Sequence, residues 1–177
     1  LVTVNYRLNV FGFFAHPDLV QKSDNEMVGN YGLLDVIAAL EWIQRNIHQF
    51  NGDPNNVTVF GESAGASLIS YLMITPESKG LFHKAISQSA AVGLAPDTHI
   101  DKRVGFNVSG MEIAKKFTER MGFELDQSMD QLRQLSSDEI IEQLDPRTVF
   151  GPMIDGTLIP DHAGLLFAQG KQHDVPF

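Results

Sequence analysis

The sequence predicts an α/β fold, a mostly parallel sheet covered by helices, and three observations carry that expectation. Short apolar, β-branched runs alternate with longer segments of helical period up to about residue 100. The stretches between successive runs are too long for hairpins and hold those helical segments, which is how parallel strands are joined. A small-residue pentapeptide, Gly61-Glu62-Ser63-Ala64-Gly65, falls where one such run ends and a helix begins.

The elements follow in order. Leu1 to Tyr6 reads as a buried strand, and the polar, Pro- and Gly-containing stretch from His16 to Asn30 as a loop. Leu33, Val36, Ile37, Leu40, Ile43 and Ile47 recur at three and four residues and so define one face of a helix. The turn signal Asn51 to Asn56 precedes a short strand, Val57 to Phe60, and the pentapeptide then runs into an apolar helix over residues 66–73. Lys84 to Ser89 is predicted as the next strand. The character changes after about residue 105, where a helical segment is expected. Ser109 with Glu112 is a capping-box pattern opening a helix from Met111 to Met121, with Gly122 placed to cap its end. Ser136 with Glu139 opens a second short helix that Asp145-Pro146 closes. Asp155-Gly156 between Met153-Ile154 and Thr157-Ile159 reads as a two-residue hairpin turn.

Composition narrows the function classes. Thirteen Lys and Arg against 22 Asp and Glu in 177 residues give a net charge of −9, which argues against nonspecific nucleic-acid binding. With 43% hydrophobic and 20% charged residues the chain can bury a core and is not a disordered sequence. No apolar run reaches the roughly 18 residues of a membrane span. There is no Cys, which removes disulfides, thiolate zinc sites and a Cys nucleophile together. No His pair has a spacing that demands a metal, and no cofactor is implied. No targeting segment is readable, which leaves the compartment open.

The pentapeptide carries the chemistry. A nucleophilic Ser needs a tight strand-to-helix turn that lifts its hydroxyl above the sheet edge, with glycine on both sides to relieve crowding. The helix that starts there offers unpaired N–H groups and partial positive charge. Ser63 is therefore the candidate nucleophile, the Ala64 N–H a candidate oxyanion donor, and Gly61 and Gly65 the supporting glycines.

At this point the chain resembles the type-B carboxylesterase family, the cholinesterase-like branch of the α/β-hydrolases, in a bacterial-type form. The resemblance rests on Asn5-Tyr6-Arg7-Leu8, Phe11-Gly12-Phe13, Gly29 to Asp35, Ala39 to Ile47, Gly52-Asp53-Pro54, Val57 to Gly65, Gly80-Leu81-Phe82, Ser87-Gln88-Ser89 and Pro152 to Gly156. Asn51 and Ala90 stand where the family usually has Gly. The resemblance implies a partial α/β-hydrolase fold and a serine esterase acting on a small-molecule carboxylic ester through an acyl-enzyme. It implies that Glu62 lies near the catalytic His, there to support it electrostatically, to attract cationic groups, or simply to solvate the turn. Ser89 is implied to stand beside the triad acid, and Arg7 with Asp35 to form a structural ion pair. Pro146 to Phe150 resembles the loop that shapes the acyl pocket, without large aromatics at Pro146 and Thr148.

The family's triad acid and His lie beyond Phe177, and its Gly-rich oxyanion loop lies upstream of Leu1. Asp155 with His162 or His173 has the required chain order, but Asp155 reads as a turn residue, so no in-chain triad is expected. Residues 1–177 are accordingly expected to be the central fragment of a single hydrolase domain, with N- and C-terminal parts of the same enzyme as its partners. Within it, 1–100 is the sheet core with the nucleophile turn, 101–150 a helical insertion, and 151–177 a hairpin and the start of the next core strand. The second functional expectation is a non-catalytic, esterase-like recognition module, since the family also contains adhesion proteins.

Overall fold

The structure, a computed structural model, describes residues 1–22, 27–92, 97–125 and 128–177. Its helices are α1 (Asn9–Gly12), α2 (Pro17–Lys22) and α3 (Tyr31–Asn46), followed after strand β1 (Thr58–Glu62) by α4 (Ala64–Leu72). Strands β2 (Lys84–Gln88) and β3 (Thr98–His99) come next. Helices α5 (Gly110–Arg120), α6 (Met129–Leu132) and α7 (Ser137–Glu142), strand β4 (Met153–Ile154) and α8 (Ala163–Ala168) complete the chain.

β1 and β2 pair in parallel, with Phe60 opposite Ile86 and Glu62 opposite Gln88. Helix α4 is the crossover and packs back on both strands, burying Leu68, Ile69 and Leu72 against Ala85. Leu33, Ile37 and Leu40 of α3 enter the same core, so the periodic face read from the sequence is the buried one. The opposite sheet face is bare among the described residues: Phe60 is 58% exposed and Ile86 51%. Beside β2 the Pro176 carbonyl accepts from the Ala85 N–H at 2.9 Å, in the position of a further strand.

A second, smaller core belongs to the helical segment. Ala114, Phe117, Met129 and Leu132 pack on Val10 and Phe14. Phe117 meets Phe14 and Phe150 edge-on at 5.7 and 5.9 Å. Both capping boxes are present: the Ser109 and Ser136 hydroxyls accept from the Glu112 and Glu139 N–H groups, and each Glu returns to its serine N–H.

Three expectations are corrected. Leu1 to Tyr6 is not a strand: β propensity forms a strand only against a hydrogen-bonding neighbour, none is present among the described residues, and Leu1, Val2 and Val4 are exposed. The stretch from His16 is not all loop, because Pro17 opens α2, a position where a missing N–H costs nothing. Residues 153–159 do not form a hairpin. Met153–Ile154 pairs in parallel with Thr98–His99 instead, and the Asp155 carboxylate gathers the Thr157 and Ile159 N–H groups at 2.9 and 3.0 Å. An Asp that satisfies the backbone two and four residues on closes a local turn rather than a strand pair.

A buried amide joins these distant parts. The Asn30 side chain is 1% exposed and pairs with the Met153 backbone like a strand residue, donating to the carbonyl at 2.8 Å and accepting from the N–H at 2.9 Å. It also donates to Asp155 Oδ2 at 2.8 Å.

Candidate functional site at the strand-to-helix turn

Ser63 links the two halves of the βα unit. Its N–H donates to the Gln88 carbonyl at 2.9 Å, continuing the sheet ladder, and its carbonyl accepts from Ser67 at 3.0 Å, opening α4. One residue cannot serve both with ordinary dihedrals, and Ser63 has φ 52° and ψ −113°. Holding a serine there costs about 1–3 kcal/mol, which the surrounding βαβ packing must supply. The side chain is exposed, so the strain presents the hydroxyl to solvent at the carboxyl edge of both strands, where open α/β sheets place their ligands.

The flanking glycines are not equivalent. A Cβ on Gly61 would come within 2.7 Å of the Gly65 carbonyl carbon, so this position admits only glycine without a shift of the turn. A Cβ on Gly65 meets nothing within 4 Å. The expectation that crowding requires glycine at both places is thus corrected: Gly65 supplies the backbone against which Gly61 is pressed. Ala64 is the first residue of α4, where N–H groups have no acceptor inside the helix. Glu62 ends β1 with its side chain exposed. Ser89, next after β2, also has positive φ, 62°, and is exposed at the same edge. Ser63, Ala64, Glu62 and Ser89 thus gather at one end of the sheet.

Arg7 and Asp35 stand apart from this turn. Arg7 Nε and Nη2 donate to the Asp35 carboxylate at 2.8 and 2.7 Å, the Arg7 N–H adds a third bond at 2.9 Å, and the guanidinium lies 5.5 Å from the Tyr31 ring centre. The hydrogen bonds from Arg7 hold the Asp35 carboxyl below its ordinary range. The Arg7 side chain is 53% exposed, so a bereaved Asp35 is rehydrated rather than stranded. Arg7→Ala is expected to cost about 1–2 kcal/mol in urea denaturation at pH 7, from the surface pair and the cation–π contact. Because the folded-state value of Asp35 is depressed, the ion-pair share is present above the unfolded carboxyl value and shrinks as pH falls below it. The gap between wild type and variant should therefore narrow on acidification below the ordinary carboxyl range, down to the share of the cation–π contact.

Among the described residues no histidine reaches Ser63. His83 Nδ1 accepts from the Val57 N–H, His173 Nε2 lies against the Thr75 carbonyl and Ser78, and His162 faces Asp97 at 3.8 Å. His48 lies in a 3₁₀ turn after α3 and His99 in β3. His16 forms a buried look-alike of a catalytic triad. The Asp18 N–H donates to its Nδ1, so Nε2 carries the proton toward the Ser128 hydroxyl at 2.9 Å, which itself donates to the Leu125 carbonyl. His16 and Ser128 are both fully buried, and burial depresses the imidazole pKa. No ester can enter, and the group ties α2 to α6. Asp155, the turn-former above, is occupied by backbone and Asn30, not by His162 or His173.

Sequence reasoning missed Asn30 and the Tyr71–Asp97 pair. Tyr71, two turns beyond Ser63, donates to Asp97 at 2.8 Å, while the other Asp97 oxygen accepts from the Ala163 N–H. Burial first, then Asp97, raises the Tyr71 pKa and keeps the phenol protonated. The signal for Asn30 was its place inside the matched segment Gly29 to Asp35; Asp97 had none. Ser67 and Tyr71 form one wall of a cavity of about 250 Å³ whose other wall is Val149 to Met153. No group of His, Asp or Glu suited to a metal ion occurs among the described residues, and no helix there is long and apolar enough to cross a membrane.

A parallel strand, a serine at positive φ and a helix rising directly from it are parts of a partial α/β-hydrolase fold. The chain belongs to the carboxylesterase family, whose model it matches over residues 1–177. It is 36% identical over 186 residues to fumonisin B1 esterase of Sphingopyxis macrogoltabida, covering 99% of this chain and 32% of that protein. It is 38% identical over 178 residues to neuroligin-2 of Mus musculus, covering 97% and 20%. A solved carboxylesterase of Geobacillus stearothermophilus superposes with TM-score 0.78 at 30% identity, over 94% of this chain and 33% of that one. The chain thus spans about a third or less of the length of these relatives.

Proposed function

We propose that this chain carries the nucleophile region of a serine carboxylic-ester hydrolase. Ser63 Oγ attacks the ester carbonyl, the alcohol leaves, and water releases the acid from the acyl-serine. The Ala64 N–H, unpaired at the helix start, donates to the oxyanion. Glu62 supports the base that takes its proton, and Ser89 stands beside the triad acid that orients that base. The observation that carries the reading is the positive φ of Ser63 between β1 and α4, strain that an inert turn has no need to hold. The test is covalent labelling of the full-length protein with a fluorophosphonate, followed by peptide mass analysis. Label on the peptide containing Ser63 supports the reading. A folded, unlabelled Ser63 favours the second one, a recognition module, which the neuroligin match keeps in view.

Two expectations follow for turnover. No described histidine hydrogen-bonds to Ser63, and His16, His83, His162 and His173 are engaged elsewhere, so residues 1–177 on their own should hydrolyse p-nitrophenyl esters no faster than their Ser63→Ala form, a base being indispensable to a serine near neutral pH. In the full-length protein, the modest side chains of Pro146 and Thr148 should admit acyl groups beyond acetyl. The preference should be graded, since a methylene in an apolar pocket is worth only about 1–3 kcal/mol. kcat/KM across acetyl, butyryl and hexanoyl esters measures it, and a steep preference for acetyl would refute it.

A further inference from the structure

The helical segment holds a second cavity, of about 610 Å³, between α5 and the turn at residues 145–148. Its lining is basic in a protein of net charge −9. Arg120 and Arg147 both reach Asp145, at 3.0 and 3.1 Å, and Lys116 has no hydrogen-bond or ion-pair partner among the described residues. One guanidinium is enough to neutralise Asp145. Arg147 first, then Arg120, keeps that carboxyl ionised far below its ordinary range, so at neutral pH the three cations leave a surplus of two positive charges. Phe106, Phe117 and Phe150 contribute the aromatic part of the wall, beside aliphatic Val108, Ile113 and Val149. Phe117 forms the buried floor, and Phe106 stands wholly in solvent on a turn closed by reciprocal Val104–Asn107 hydrogen bonds. Phe106 thus adds an apolar edge to a cleft in which Arg120 and Arg147 share one carboxylate and Lys116 has none.

We propose that this cleft binds a carboxylate borne on an apolar body, the carboxylate between Lys116 and Arg147 and the hydrocarbon along Phe106 and Phe117. Two features select this class. Arg147 spends Nε and Nη2 on Asp145 and keeps Nη1, which with the neighbouring Lys116 ammonium offers charged donors to a carboxylate, and the phenylalanines of the wall give a small inorganic anion nothing to lie against. The cleft shares residues 147–150 with the loop expected to shape the acyl pocket, while Lys116 on α5 lies outside that loop, and binding there does not require Ser63.

Isothermal titration of the full-length protein at low salt tests it with octanoate, 1-octanol (the same tail uncharged) and acetate (the charge without the tail). Octanoate is expected to bind at least tenfold more tightly than either. The double substitution Lys116→Gln and Arg147→Gln removes two exposed charges and leaves Asp145 its Arg120 partner. It should weaken octanoate at least tenfold while leaving 1-octanol unchanged, with the melting temperature checking the fold. Phe106→Ser should weaken octanoate and 1-octanol alike. Equal binding of octanoate and 1-octanol, or octanoate binding indifferent to the double substitution, would overturn the proposal. Because the readout is binding, it stands or falls separately from labelling at Ser63.

Discussion

Ser63→Ala in the full-length protein is expected to lower kcat for a p-nitrophenyl ester by about five to six powers of ten, to the level set by binding and oxyanion donors alone. Stability should move the other way or stay level. The turn keeps its positive φ in the variant, since the bonds that impose it, Ser63 N–H to Gln88 and Ser67 N–H to the Ser63 carbonyl, are backbone bonds. A melting temperature near wild type with turnover gone separates a chemical role from a structural one. Retained turnover would remove Ser63 from the mechanism altogether. Ser63→Gly sharpens the comparison: glycine accepts positive φ freely, so it should melt higher than the alanine form while remaining as inactive.

The largest effect on stability is expected at Asn30. Truncation to alanine deletes three hydrogen bonds and leaves the Met153 N–H, the Met153 carbonyl and an Asp155 oxygen without that partner, two of the three in a buried place. At about 1–3 kcal/mol for each buried group left unsatisfied, a loss of about 3–4 kcal/mol is expected in denaturant titration at pH 7. Asn30→Asp probes the cause. It keeps the shape and still accepts from Met153, but offers no proton to the Met153 carbonyl and sets a second carboxylate against Asp155. It should be as damaging as alanine at pH 7 and recover toward wild type on acidification, as the new carboxyl takes up the missing proton. A loss below about 1 kcal/mol in the alanine variant would mean that solvent or a rearranged loop replaces the amide.

What the sequence disclosed of this architecture divides along a physical line. Signals written in adjacent residues were readable: the Ser109/Glu112 and Ser136/Glu139 boxes, the apolar period of α3, the strand-to-helix placement of Ser63. Each is decided within one or two turns of chain. Features decided by partners far along the chain were not. Leu1 to Tyr6 has strand composition and no strand to pair with among the described residues. Met153–Ile154 looked like half of a hairpin because Asp155-Gly156 follows it, yet its partner is Thr98–His99. The pairing was hidden because a two-residue strand carries no period. Asn30 and His16 read as loop polar residues, since burial of a polar side chain depends on a mate more than 100 positions away. At the turn itself the types of residue were legible, and the asymmetry of Gly61 and Gly65 was not, because it depends on which of two backbones leans on the other.

Phe150 packs against both hydrophobic clusters, the one under α4 and the one among α5, α6 and Phe14. Ser63 lies between β1 and α4, and α4 packs into the first. Substitutions inside the second can therefore reshape what the protein admits without disturbing the dihedrals of its serine. For selection this makes the helical segment a region where mutations are cheap to try: ligand preference can drift there while the reacting group stays fixed. A library confined to α5 through α7 should yield variants that differ in ligand choice yet react alike toward a small fluorophosphonate, whereas one confined to residues 58–67 should yield mostly the dead and the unfolded.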